Sequence, residues 1–139
     1  IKMTVLKLEI ATAERLVYAE DVGFVVAPGT DGELAILPKH ASLLTTLKPG
    51  QLRVVRDGKE SLIAISGGFM EVLANKVTIL ADTAEHSEEI DEERANLALK
   101  RAQEQMAEAS TQMELEKAMT AMRRSQARVA VARRKRRTN

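Results

Sequence analysis

Cysteine is absent from the 139 residues. That excludes disulfides, thiolate nucleophiles and cysteine-based zinc sites together. Tryptophan is absent as well, and only Tyr18, Phe24 and Phe69 are aromatic. Nothing aromatic follows Phe69, so the second half of the chain cannot build a core from large rings. No apolar run approaches the ~18–20 residues that a membrane-spanning helix needs. The segment from Met3 alternates like a strand and does not read as a secretory signal. No GxxxxGK(S/T) phosphate loop occurs, so nucleotide hydrolysis is not expected. The two histidines, His40 and His86, are far apart and lack metal-ligand spacing. No Ser/His/Asp arrangement stands out. The chain therefore reads as a soluble, non-catalytic protein of a reducing compartment, with no metal site and no required cofactor.

What is present divides into two parts of opposite charge. Residues 1–89 hold 9 Lys/Arg and 13 Asp/Glu, a balance of −4. Residues 90–139 hold 12 Lys/Arg and 7 Asp/Glu, a balance of +5. Eight basic residues and no acid lie between Arg123 and Asn139: Arg123, Arg124, Arg128, Arg133, Arg134, Lys135, Arg136 and Arg137. Such asymmetry points to two modules with different partners.

Residues 3–82 read as strands. Leu6, Leu8 and Ile10 share one face of the first, and Met3, Val5, Lys7 and Glu9 share the other. Asp57-Gly58 separates Gln51–Arg56 from Ser61–Ser66, a strong hairpin signal because both turn residues tolerate positive φ. Ala74-Asn75 separates Phe69–Leu73 from Lys76–Leu80 in the same way. Gly67-Gly68 reads as a bulge or tight corner. Short strands at this spacing predict an antiparallel sandwich or flattened barrel.

From Asp91 onward the composition favours helix. Asp91 suits an N-cap, and Glu92 and Glu93 complement the helix dipole. Ala95, Ala98, Leu99, Ala102, Met106 and Ala109 form one stripe. Ser110-Thr111 predicts a break and a cap. Leu115, Ala118, Met119, Met122 and Val129 form a second, narrow stripe. The fold class is α+β: a β-sandwich over residues 1–86, then a helical hairpin over residues 87–139. Ala and Met stripes gain little from burial, because each buried CH₂ contributes only about 0.8 kcal/mol. Patterning leaves two arrangements open, a hairpin that exchanges partners and one fixed on the sandwich.

Four segments recur in a recognisable order: GELAILPKHASLL from Gly32, SGGFMEV from Ser66, VTILADTAE from Val77 and IDEERA from Ile90. Together they closely resemble the ε subunit of bacterial and chloroplast F-type ATP synthases, over nearly the whole chain. The resemblance implies a rotor central-stalk subunit whose sandwich sits on the γ subunit and the c-ring. It implies a hairpin that folds beside the sandwich or extends into the catalytic α/β hexamer and inhibits ATP hydrolysis. It implies a peripheral location at the cytoplasmic face of the bacterial plasma membrane, or the stromal face in plastids.

Residue roles follow by the same resemblance. Glu33 and His40 match positions facing the c-ring loops. Arg123, Arg124, Arg128, Arg133 and Arg134 match cations that dock on acidic loops of the catalytic β subunits. Ile90, Asp91, Arg94 and Ala95, with Arg101, Arg124 and Arg128, match residues that bind ATP as a regulatory ligand in some members. Each has a plainer alternative: an exposed carboxylate, a loop histidine, a solvated basic tail, an ordinary helix cap. A stand-alone nucleotide sensor with a helical lid is the rival function. A nucleic-acid-binding tail is disfavoured, because stacking aromatics and groove-reading motifs are missing.

Overall fold

The computed structural model describes residues 5–138, and for residues 135–138 only the helical backbone. Met3 and the side chains of Lys135, Arg136 and Arg137 thus lie outside the described residues. Among those described, eight strands form one sheet: β1 (Leu6–Ala11), β2 (Leu16–Val22), β3 (Phe24–Gly29), β4 (Gly32–Ile36), β5 (Leu43–Arg56), β6 (Lys59–Leu73), β7 (Lys76–Ala81) and β8 (Ala84–His86). Their order is β2-β1-β7-β6-β5-β3-β4, with β8 beside β6. The sheet does not close. It folds over on itself into two layers.

The fold-over is made by the two longest strands. β5 has 14 residues and β6 has 15. In β6, Ile63 and Ile65 face the core before the bend, and Met70 and Val72 after it. The change from odd to even positions falls at Gly67 and Gly68, whose φ values are 117° and 146°. A Cβ on Gly68 would collide with the Leu80 carbonyl oxygen. β5 changes parity at the same level, between Leu47 and Leu52. There a Cβ on Gly50 would stand 2.8 Å from Pro28 Cβ. The expected corner at Gly67-Gly68 is present, but the segments on either side belong to one strand. The paired glycines bend β6 without ending its hydrogen-bonded ladder to β5.

Both expected hairpins form. Asp57 and Gly58 have φ of 51° and 74°, and Ala74 and Asn75 have 49° and 62°. Positive φ at both central residues matches the right-handed strand twist. One pairing departs from the antiparallel expectation: β1 lies parallel to β7. Parallel neighbours need a long connection, and the rest of the sandwich supplies it. Between the layers, Leu6, Leu8, Ile10, Ile36, Leu52, Ile63, Met70 and Ile79 are all at most 1% exposed.

A 3₁₀ turn, Ser87–Glu89, leads to α1 (Glu92–Glu108) and α2 (Gln112–Thr138). Asp91 Oδ1 accepts from the Arg94 N–H at 3.1 Å, and Thr111 Oγ1 accepts from the Glu114 N–H at 3.1 Å. Both helices therefore start at side-chain caps. On α1, Ala95 and Ala102 are buried. On α2 the buried set is wider than the expected narrow stripe. Ser125, Ala127, Val131 and Ala132 are buried along with Ala118 and Val129. The second half of α2 has two neighbours, α1 on one side and the outer faces of β5 and β6 on the other.

Candidate functional site

The hairpin meets the sandwich along a thin seam. Leu62 and Ala64 of β6 pack against Val131 of α2, with Ile90 half-buried beside them. The run Leu62–Gly67 is buried on both strand faces. Its inner residues enter the sandwich core and its outer ones lie under the helix. Gln51, paired across the ladder with Ala64, keeps its Oε1 buried without a hydrogen-bond partner.

Ion pairs flank this apolar seam. Arg128 Nε donates to Glu85 Oε2 at 2.7 Å. Arg134 Nη2 reaches both oxygens of Glu60, at 3.0 and 3.2 Å. Glu60 also accepts from Arg53 at 3.3 Å. Between the helices, Arg133 Nε lies 3.8 Å from Glu92 Oε1. Thus Arg128, Arg133 and Arg134 are engaged with acids of their own chain. Arg123 and Arg124 are exposed.

The ATP-motif positions separate into two groups. Arg124 and Arg128 line one cleft with Ala64, Ile65, Thr83 and Glu85, about 210 Å³ in volume. That is below the ~300–1,000 Å³ of typical small-molecule sites. Arg101 is exposed on α1 and does not line that cleft. Asp91, Arg94 and Ala95 sit at the start of α1. There Asp91 is the N-cap, Ala95 is fully buried, and Ile90 belongs to the apolar seam. The Arg94 side chain is exposed.

Glu33 and His40 are not brought together. Glu33 pairs with Pro28 beside the β3–β4 turn. His40 follows the other end of β4, next to Lys39, whose N–H donates to Asn75 Oδ1 in the β6–β7 turn at 2.6 Å. The short strand β4 (Gly32–Ile36) runs between the two positions. β4 is an edge strand. His40 Nδ1 is 2.7 Å from the Ala41 carbonyl.

On the layer away from the helices, cross-strand registers align Phe69 with Leu80, Leu80 with Ala11 and Ala11 with Leu16. Phe69, Leu80 and Leu16 are 56%, 58% and 61% exposed, and Leu44 nearby is 73% exposed. Contiguous exposed apolar surface of this kind marks interaction sites. Sequence reading did not single it out, because each residue alone fits an ordinary alternating strand. Glu60 and Glu85 were likewise not legible as partners of α2.

Two groups titrate away from their ordinary values. The Ser110 backbone N–H and hydroxyl both donate to Glu114 Oε2, at 2.9 and 3.1 Å, and hold its carboxyl below the usual range. Burial raises Tyr18, opposed by nearby Arg56 and reinforced by Glu20.

Comparison with known proteins agrees with both halves. Residues 5–87 match the family described as ATP synthase, Delta/Epsilon chain, beta-sandwich domain. Residues 88–133 match ATP synthase, Delta/Epsilon chain, long alpha-helix domain. The ATP synthase epsilon chain of Pelotomaculum thermopropionicum is 54% identical over 101 residues, 73% of this chain and 75% of the relative. That of Carboxydothermus hydrogenoformans is 57% identical over 102 residues, 73% and 76% of the two chains. Among solved structures, a chain of the Euglena gracilis mitochondrial ATP synthase (OSCP/F1/c-ring) superposes with a TM-score of 0.81 at 25% identity. It covers 92% of this chain and 81% of the other. A chain of the Tetrahymena thermophila central stalk/c-ring shares the fold, with a TM-score of 0.62 at 18% identity and coverage of 95% and 99%. With a sandwich and a capped helical pair that both match, this chain belongs to the ATP synthase Delta/Epsilon family, as an epsilon chain of the F-type enzyme.

Proposed function

We propose that this chain is a non-catalytic central-stalk subunit whose sandwich stays seated on the rotor while its hairpin regulates ATP hydrolysis. The apolar row Phe69, Leu80, Leu16 and Leu44 supports docking on the γ subunit, because it lies on the layer the hairpin leaves open. Glu33 and His40 contact the c-ring. Location at the cytoplasmic or stromal membrane face follows from membership of the complex. No helix among the described residues is long and apolar enough to cross a membrane.

One observation carries the regulatory part: Arg128, Arg133 and Arg134 are held by Glu85, Glu92 and Glu60 of the same chain. In the extended form the same cations, with Arg123 and Arg124, dock on acidic loops of the α/β hexamer. One cationic face exchanges one set of carboxylates for another, so the change in charge pairing is small. Magnitudes allow it. Burial of a Val such as Val131 contributes about 1.5–3 kcal/mol, and each partly exposed ion pair about 0.2–1 kcal/mol. Reversing a 1:99 population takes about 5.5 kcal/mol, the same order as the whole seam.

ATP favours the folded form by entering the cleft at Arg124 and Arg128, with Arg101 further along α1 and Asp91 and Arg94 at its start. Arg128 exchanges Glu85 for phosphate in the process, and the cleft widens. The test is ATP hydrolysis by the reconstituted complex. Changing Arg123, Arg124 and Arg128 together to Glu is expected to relieve inhibition. Hydrolysis equal to that with the unaltered chain would remove the inhibitory role and leave only the stalk position.

A further inference from the structure

The joint between sandwich and hairpin is also held from the β1–β2 side. The β1–β2 loop is a pre-formed turn. Thr12 Oγ1 accepts from the N–H groups of Glu14 and Arg15, each at 3.3 Å, and the Thr12 N–H donates to the Arg15 carbonyl at 2.9 Å. This turn presents Arg15 to the end of β8. Its Nη2 donates to the Ala84 carbonyl at 3.4 Å and to Glu89 Oε2 at 3.2 Å. The same Glu89 oxygen accepts from the His86 N–H at 3.3 Å, across the 3₁₀ turn. His86 Nε2 lies 3.1 Å from the Val17 carbonyl of β2. A carbonyl only accepts, so Nε2 carries the hydrogen. The His86 ring also lies 6.3 Å from that of Tyr18.

These contacts come from the β1–β2 region or the turn itself; because β8 is already laddered to β6 and Glu85 bonded to Arg128, what they add falls chiefly on Ser87–Glu89. From Ile90 onward the partners change. Ile90 packs against β6 and Val131, and the hairpin beyond is held to the sheet through α2. Ile90 and Asp91 are both extended, with φ/ψ of −85°/122° and −84°/107°, between two helical turns. Two adjacent extended residues outside any ladder can change direction without breaking a helix or a strand.

We propose that Arg15 pins the turn Ser87–Glu89 to the sandwich, so that the hairpin pivots at Ile90–Asp91. This rests on the proposal above that the hairpin moves. Its consequence is positional. An extended chain advances about 3.3 Å per residue, so freeing the three residues Ser87–Glu89 beyond the β8–β6 ladder would let the base of the hairpin drift by roughly 10 Å. A base pinned at Ile90 delivers the cations of α2 to one place. Each contact is weak at such exposure, but several converge on the same short segment.

The test uses the full chain. In the Arg15→Gln and Glu89→Gln variants, amide hydrogen exchange at His86 and Ile90 is expected to quicken about fivefold or more, with Leu8 and Ile79 unchanged. Unchanged exchange at His86 and Ile90 overturns the proposal. A second measurement locates the pivot. Because cysteine is absent, spin labels attach only at introduced sites. One pair is placed through Glu14→Cys and Glu88→Cys, the other through Glu14→Cys and Gln105→Cys. The hairpin is released by Arg128→Glu with Arg134→Glu. The expected result is a constant first distance and a broadened second one. A first distance that broadens with the second puts the pivot earlier and also overturns the proposal. If the second distance stays fixed, the moving hairpin fails instead, and the exchange rates alone decide whether Arg15 pins the joint.

Discussion

Arg128 of α2 and Glu85 of β8 meet through a charge-assisted hydrogen bond of 2.7 Å. The two residues are 43 positions apart in sequence, yet they join the regulatory half of the chain to the docking half. Their side chains are 26% and 36% exposed, which keeps the bond within reach of solvent. A contact so placed can hold the folded hairpin without locking it.

Breaking that bond should shift the hairpin rather than unfold the protein. Glu85→Gln removes about 1 kcal/mol or less from the folded arrangement, a change of up to about fivefold in its population. Fluorescence energy transfer between labels on the sandwich and on α2 measures this. Arg128→Glu should act alike, and combining it with Glu85→Arg should restore most of the folded population. A double variant no better than either single one would mean that the pair does not couple.

Substitution at the bend should be far more damaging. Gly68→Ala forces a Cβ into the Leu80 carbonyl at a φ of 146°. The expected loss is about 3 kcal/mol or more, since strain and a displaced strand add. At Gly58, with φ of 74° and open space around a Cβ, alanine should cost only about 1–2 kcal/mol. Urea unfolding of the two variants provides the comparison. Similar losses would contradict the assignment of the bend to Gly68.

Replacement of an exposed ring should separate docking from folding. Phe69 is 56% exposed, so Phe69→Ser is expected to leave the midpoint of thermal unfolding within a few degrees. If the row around it seats the γ subunit, affinity for γ should fall at least about tenfold, as for a central aromatic anchor. Calorimetric titration of γ with both chains checks this. Equal affinities would move the interface elsewhere on the sandwich.

Acid should loosen the start of α2. Hydrogen bonds from the Ser110 backbone N–H and hydroxyl hold the Glu114 carboxyl below the usual carboxylate range. A group depressed in the folded state contributes stability above its unfolded pKa, and that contribution disappears as pH falls through the folded value. Amide exchange at Ser110 should therefore quicken, after correction for intrinsic rates, as pH is lowered below about 4.5. In Glu114→Ala this pH dependence should vanish. Persistence of the same profile in that variant would assign the effect to another group.

Much of the fold was legible because the chain alternates with periods that only one structure satisfies. Leu6, Leu8 and Ile10 announced a half-buried strand. Asp57-Gly58 and Ala74-Asn75 announced their turns, and Asp91 and Thr111 the helix starts. Less legible was the double burial of Leu62–Gly67, although its unbroken apolar run, Leu62-Ile63-Ala64-Ile65, is the pattern of a strand covered on both faces. The wide buried face of α2 was hidden for a different reason. Of its extra residues, Ser125, Ala127 and Ala132 are small and carry no strong hydrophobic signal, and only Val131 does.

The candidate sites divide along the same line. Which residue types are available, and on which module, was fixed by composition: cations crowd α2, acids the sandwich, and cysteine nowhere. Local chemistry needs only near neighbours, so caps, turns and helix limits could be read from the sequence itself. The partnership of Arg128 with Glu85, of Arg134 with Glu60 and of Arg15 with Glu89 depended on the tertiary path of the chain. Those contacts join positions distant in sequence, and charge alone does not select among many carboxylates. Only the folded path, by bringing particular pairs within about 3 Å, made that selection.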